Sequence, residues 1–212
     1  MRWTSRSSQQ KLKMPLTQVY HLLDGQMALV VRAWGSQEHN QKLIDEVSHY
    51  MSSAQADLDV TSPFDFKENL SSLANKTRIA LLLAQDFFYK TQNKNDFTVG
   101  FEIAVLFQLK NELAWSSVGR FSLKKIQNSY MQTLFDNGTD RDAETLLPVE
   151  LLGVEKEVEM TSGSLLLSAQ TQLLLTSVYG GDLAFESLTS QQTSLMPNNN
   201  TMSYWYSLIN VD

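Results

Sequence analysis

The 212 residues carry a formal net charge of -6, with 42% hydrophobic side chains, 19% charged, 4 prolines and no cysteine. This balance favours an ordinary folded domain over a disordered chain, and the acidic excess argues against nucleic acid as a partner. Without cysteine there can be no disulfide, no thiolate nucleophile and no Cys-based zinc site, and a reducing cytoplasm is the expected compartment.

The length suits one domain spanning 1–212. Arg2, Arg6, Lys11 and Lys13 gather at the start, where solvated charges are the ordinary reading. No apolar stretch of signal-peptide type follows them. The longest apolar runs, Ile79–Ala84 and Leu173–Leu175, fall far short of the roughly 20 residues that span a bilayer, so no membrane partner is expected.

Thr17–Leu23 and Met27–Ala33 read as strands around the turn dipeptide Asp24-Gly25, a hairpin signal. Over 37–54, Leu43, Ile44, Val47, Tyr50 and Met51 are spaced for one helix face. Pro63 interrupts, and 55–66 is expected as a loop. A second helix is predicted over 66–90, its stripe running from Leu70 to Phe88. Phe101–Leu109 and Glu112–Leu123 then read as strands around Lys110-Asn111, and Ile126–Leu134 as a further strand. Val154–Met160, alternating apolar and acidic, and Leu165–Ser168 are also expected as strands. Short helices are predicted over 170–179 and 182–190, a surface loop over 190–200, and a closing strand at Met202–Val211. About nine strands and four helices, the long helices consecutive, indicate an α+β class with antiparallel sheets.

Common catalytic constellations are missing. His21, His39 and His49 form no His-Glu-x-x-His motif and read as surface residues. No Gly-x-Ser-x-Gly elbow or glycine-rich phosphate loop occurs. Glu150, Glu155, Glu157 and Glu159 read as a solvated face. Trp34, Trp115, Trp205, Tyr204 and Tyr206 suit a core or an interface rather than base stacking.

A series of stretches carries a resemblance. Arg6-Ser7-Ser8-Gln9-Gln10-Lys11 looks like an opening Arg-x-x-Asn-Glu-Asp, and Val31-Arg32-Ala33-Trp34-Gly35 like an Asp-Gly-x-Gly-Gly turn. Thr98–Ala104 looks like a Gly-Thr-Thr-Ala strand start, and Ser116–Ser122 like Ala-Asn-Val-Gly-Asp-Ser-Arg. Pro148–Gly153 matches Pro-x-x-x-Leu-Gly, Ser162–Thr171 resembles Gly-Asp-x-Leu-Leu-Leu-Cys-Ser-Asp-Gly, and Asn198–Thr201 resembles Asp-Asn-x-Thr. In order and spacing the series resembles the metal-dependent Ser/Thr protein phosphatases, the PPM or type 2C family. The resemblance implies a four-layer αββα sandwich of two antiparallel sheets.

Enzymes of that family hold two divalent metals and attack a phosphoserine or phosphothreonine with a metal-bound hydroxide. Mg²⁺ or Mn²⁺ in such a pair needs several converging carboxylates. Residue by residue, the resemblance puts Gln10 and Lys11 at the Glu-Asp pair, Arg32 at the turn Asp, Gln170 at the Asp of Ser-Asp-Gly, and Asn199, within Asn198–Asn200, at the late Asp. None is a carboxylate, so no metal, no cofactor and no catalytic residue is expected. Arg6 matches the family's phosphate-binding arginine, and Arg120 also replaces an Asp. Arg6, Lys11 and Arg32 are the candidates for holding phosphate or a partner, unless neighbouring Gln10, Gln170 or an acidic side chain plugs the cleft. The implied function is a pseudophosphatase: a regulatory or scaffold module binding a protein partner, such as a phosphorylated protein or a kinase. The alternative is an active phosphoprotein hydrolase with non-standard ligands drawn from Asp24, Asp45, Glu46 or Asp182.

Overall fold

A computed structural model describes residues 1–9, 14–56, 62–127, 130–138, 148, 150–168, 171–180, 183–188, 193–197 and 203–211. In chain order its elements are β1 (Arg2–Gln9), β2 (Thr17–Leu22), β3 (Met27–Gly35), a 3-10 turn (Gln37–His39), α1 (Asn40–Ala56), α2 (Ser72–Phe87) and a π turn (Phe88–Gln92). There follow β4 (Val99–Leu109), β5 (Glu112–Val118), β6 (Ser122–Gln127), β7 (Tyr130–Asp136), β8 (Thr161–Leu166), β9 (Thr171–Tyr179), β10 (Leu183–Leu188), β11 (Thr193–Pro197) and β12 (Ser203–Val211). They fall into two compact units.

The first unit comprises Met1–Met14, Arg120–Pro148 and Ser168–Asp212. Its antiparallel sheet runs β1-β12-β9-β6-β7, with a β10-β11 ribbon beside it in the chain. Arg2 and Arg6 of the basic start therefore lie on a strand, paired along its length with β12 from Arg2 opposite Asn210 to Gln9 opposite Ser203. The helices expected over 170–179 and 182–190 are β9 and β10 instead, and the loop expected over 190–200 contains β11. β9 lies between β12 and β6, and Leu173, Leu174 and Leu175 are all fully buried. A strand covered on both faces shows no alternation, so its apolar run can be mistaken for a buried helix.

The second unit comprises Pro15–Gly119 and Val149–Leu167, with an antiparallel sheet ordered β2-β3-β4-β5-β8. On β3 and β4 the odd-numbered residues, among them Leu29, Val31, Ile103 and Phe107, share one core with Leu43, Val47, Ile79 and Leu81 of the helices. Both helices thus cover the same face of this sheet. They run antiparallel: Lys76 Nζ at the start of α2 donates to the Ala54 carbonyl near the end of α1, 2.5 Å, and Lys42 Nζ near the start of α1 donates to Gln92 Oε1, 3.2 Å. Burying each large side chain in that core contributes about 1.5–3 kcal/mol.

α2 is shorter than 66–90. Ser71 caps it, its hydroxyl accepting from the Ala74 amide at 3.1 Å. The Asn75 side chain holds the preceding loop through Lys67 N (2.7 Å) and Lys67 O (2.9 Å), which keeps 66–71 out of the helix. The run expected as one strand, Glu112–Leu123, breaks at Gly119, where φ is +88°, and its halves enter the two different units. Ile126–Leu134 likewise straddles β6 and β7. Residues 154–160 form no strand, because Gly153 (φ +90°) turns the chain and the Gln85 side chain straps it, accepting from the Gly153 amide at 2.6 Å and donating to the Glu155 carbonyl. Glu155, Glu157 and Glu159 are exposed on this segment.

Candidate functional site

β3 begins as the strand-forming run Met27-Ala28-Leu29-Val30-Val31, paired on one side with β2 and on the other with β4. With both neighbours in place the strand does not end at Val31. It continues through Arg32, Ala33 and Trp34, and the turn falls at Gly35, whose φ is +117°. A methyl group on Gly35 would lie 2.3 Å from the Thr98 carbonyl oxygen. The helical path that follows starts as the 3-10 turn at Gln37.

One rung of the sheet carries the chemistry. Arg32 stands opposite Thr17 of β2 and opposite Glu102 of β4, so the three side chains leave the sheet on the same face. That face is the one turned away from α1 and α2, since Val31 and Ala33 point toward the helices. Arg32 Nη1 donates to Glu102 Oε2 at 3.1 Å, and Nη2 donates to Thr17 Oγ1 at 2.9 Å. Trp34 Nε1, two residues along, donates to the same Glu102 Oε2 at 2.9 Å. The pair is buried, with side-chain exposures of 2% for Arg32 and 0% for Glu102. Gly119 leaves room for this carboxylate: a methyl group there would come within 2.6 Å of Glu102 Cγ.

A buried ion pair gives little net stability, because both charges have lost their water. Removing one partner is costly, about 3–5 kcal/mol, because it strands the other charge. The arrangement therefore holds a guanidinium firmly at the position that resembles the turn Asp. Sequence reading did not identify Glu102 as its partner. The signal was a single acidic residue inside the otherwise apolar strand Val99-Gly100-Phe101-Glu102-Ile103-Ala104-Val105, since a buried carboxylate must find a cation or donor.

The other expected site residues are placed as follows. Arg6 lies on β1 of the first unit, exposed and opposite Tyr206, whereas Arg32 belongs to the second unit. Gln10, Lys11, Gln170 and Asn199 lie outside the described residues. Leu165-Leu166-Leu167, matched to the Leu-Leu-Leu motif, straddles the end of β8. The same run recurs as Leu173-Leu174-Leu175-Thr176-Ser177 on β9, followed by Val178. Either register puts an uncharged side chain, Gln170 or Val178, at the motif's Asp. Arg120 is buried with its guanidinium 4.8 Å from the centre of the Tyr179 ring.

The carboxylates considered as substitute ligands are dispersed. Asp24 sits exposed in the β2–β3 turn, Asp45 and Glu46 lie on α1, and Asp182 is outside the described residues. Among the described residues no three His, Cys, Asp or Glu side chains come together as a metal-binding group. His21 and His49 are exposed. His39 departs from the surface reading: it is partly buried, its ring edge-on to Phe88 at 6.5 Å and its Nε2 3.9 Å from Glu38 Oε1. A pair of divalent ions needs several hard, anionic oxygens converging on it. The described residues do not fit one, since the Arg32 guanidinium already neutralises the buried Glu102 carboxylate.

No family model matches the sequence, and no curated protein matches it. Solved structures do. PppA, described as a key regulatory component of T6SS in Pseudomonas aeruginosa, aligns over 99% of this chain and 97% of its own, with a TM-score of 0.62 at 11% identity. The PPM Ser-Thr phosphatase MsPP from Mycobacterium smegmatis, solved with cacodylate, aligns over 98% and 97%, with a TM-score of 0.60 at 12% identity. The Mycobacterium tuberculosis serine/threonine phosphatase PstP/Ppp gives 0.57 at 12% identity over 98% and 97%. At these identities the likeness shows the fold: this chain has the α+β fold of the type 2C phosphatases, with two five-stranded antiparallel sheets and two α-helices among the described residues.

Proposed function

We propose that this chain, as one domain across 1–212, is a type 2C phosphatase-like module that does not catalyse and acts by binding a protein partner in a regulatory or scaffold role. The observation that carries the reading is the buried Arg32–Glu102 pair, a cation held at the position where the resemblance calls for a metal-binding Asp. The uncharged or basic residues Gln10, Lys11, Gln170 and Asn199 at the other matched positions support it. So does the regulatory description of PppA, a structural neighbour over nearly the whole chain. A phosphorylated protein or a kinase in the cytoplasm is the partner class proposed, with Arg6 and Lys11 as the contact candidates. The net charge of -6 does not favour nucleic acid, and no helix among the described residues is long and apolar enough to cross a membrane. Because Glu102 and Thr17 already engage both terminal nitrogens of Arg32, this residue serves a plugged cleft better than a phosphate reader.

Calorimetric titration with Mn²⁺, run beside an assay on a phosphothreonine peptide, tests the proposal. The expected result is no two-site binding heat and no Mn²⁺-dependent hydrolysis. Hydrolysis that depends on Mn²⁺ and is abolished by changes at Gln10, Lys11, Arg32, Gln170 and Asn199 would overturn it. Titration of the same phosphopeptide against Arg6→Ala separates a reader from a plugged cleft: binding that needs Arg6 and weakens with salt marks a reader.

A further inference from the structure

We propose that the Arg32 guanidinium is a built-in cation, filling from within the chain a cation position whose carboxylate is Glu102, and that the domain consequently keeps its fold without a divalent metal. This deepens the proposed function and rests on its reading of residue 32.

Three observations on the β2–β3–β4 rung carry the inference. Glu102 is fully buried, and its Oε2 receives both Arg32 Nη1 at 3.1 Å and Trp34 Nε1 at 2.9 Å. The indole supplies a hydrogen bond but no charge, and Arg32 is the cation paired with Glu102. The second guanidinium nitrogen ends on another oxygen, Thr17 Oγ1, at 2.9 Å. The cation is thus bracketed by an anionic and a neutral oxygen from two flanking strands, one for each terminal guanidinium nitrogen. Finally, the site is moulded around the carboxylate. Gly119, at φ +88°, brings only a hydrogen toward Glu102, where a methyl group would lie 2.6 Å from Cγ, 2.7 Å from Cβ and 3.0 Å from Oε1.

An external metal bound here would leave when chelated, and the buried anion would then be exposed to its full desolvation cost. A guanidinium on β3 cannot leave. The strand register, Thr17 opposite Arg32 opposite Glu102, places it each time the sheet forms.

Thermal melting of the full chain tests this. The wild type is expected to melt at the same temperature, within about 1 °C, in EDTA and in millimolar Mn²⁺, since a ligand without a site shifts nothing. Arg32→Ala leaves the Glu102 carboxylate buried without its cation, so its Tm should fall by roughly 10 °C. Arg32→Ala/Glu102→Gln, which also removes the stranded charge, should melt several degrees above Arg32→Ala. A wild type that melts earlier in EDTA, or a double variant that melts no higher than Arg32→Ala, overturns the inference. Should Arg32→Ala not fold, Arg32→Lys against Arg32→Gln decides: the lysine variant must melt well above the glutamine variant, and equal melting overturns the role of charge. The two readings fail separately. Mn²⁺-dependent hydrolysis by a wild type whose Tm ignores EDTA overturns only the proposed inactivity, and EDTA-sensitive folding without hydrolysis overturns only the built-in cation.

Discussion

Gly119 closes against the Glu102 side chain so tightly that no methyl group fits between them, the nearest approach being 2.6 Å to Cγ. The contact joins the end of one buried strand to the acid of another. It makes the glycine a condition of the ion pair as well as of the turn.

Gly119→Ala is therefore expected to cost more than a left-handed backbone alone does. Gly25, at φ +79°, has open space where its methyl would go. Gly25→Ala should cost about 1–2 kcal/mol for conformation, and Gly119→Ala roughly 3 kcal/mol or more once Glu102 is pushed from Arg32. Urea unfolding of both variants checks the difference, and equal losses would remove Glu102 from the explanation.

A hydroxyl chain threads the helix side of the second unit: Thr77 Oγ1 to Ser116 Oγ at 2.9 Å, and Ser116 Oγ to Ser162 Oγ at 2.9 Å. Thr77 and Ser116 are both fully buried. Thr77→Val keeps the shape and removes one of the two hydroxyl partners of Ser116, so a loss of about 0.5–1.5 kcal/mol is expected. A double-mutant cycle with Ser116→Ala should show coupling of at least 0.5 kcal/mol in order of magnitude. Strict additivity would mean that the chain is not cooperative.

The strap over 150–157 is held by side-chain amides. Besides the Gln85 bonds, Asn93 Nδ2 donates to the Gly153 and Val99 carbonyls, each at 2.7 Å. Gln85→Ala should raise hydrogen exchange at the Gly153 amide by tenfold or more, the equivalent of about 1.4 kcal/mol of local opening, with little change in the β3–β4 amides. Uniform acceleration across both segments would show that the strap is not a separate unit of stability.

Tyr50 on α1 is buried, and burial raises the pKa of its hydroxyl above the ordinary value. Deprotonation is then easier in the unfolded chain than in the folded one. The group's contribution is whole below the unfolded value of about 10 and is lost as pH rises toward the folded value. Tyr50→Phe should accordingly lose less stability than the wild type between about pH 9 and pH 11, measured as urea midpoints. Parallel declines would clear Tyr50 of the alkaline loss.

Legibility from sequence followed the burial of each segment. The β2–β3 hairpin declared itself through Asp24-Gly25, and both long helices through stripes such as Leu43, Val47 and Met51. β9 did not, because Leu173-Leu174-Leu175 is covered on both faces and has no period to read. β10 and β11 form only a two-stranded ribbon, where local patterning is weak. At the site, Arg32 stood out by its place in the matched turn. Glu102 is 70 residues away in the chain, and only the strand register reveals that it lies opposite.

The pairing of β1 with β12 sets an order of events during synthesis. The second unit is made almost entirely of one continuous stretch, Pro15–Gly119, while the first is assembled from three segments that include both ends of the chain. Arg2 must wait for Asn210 before its strand has a neighbour. On the ribosome, the helix-covered sheet can thus emerge and fold early, with Arg32 already set opposite Glu102. The edge strand of the other sheet meanwhile stays without its neighbour until Ser203–Val211 has been made. Such a late, non-local closure is slow and exposes a strand edge to neighbouring chains. Joining the two ends by a short linker and reopening the chain at Asp24-Gly25 would make that closure local, with faster appearance of the first sheet as the consequence.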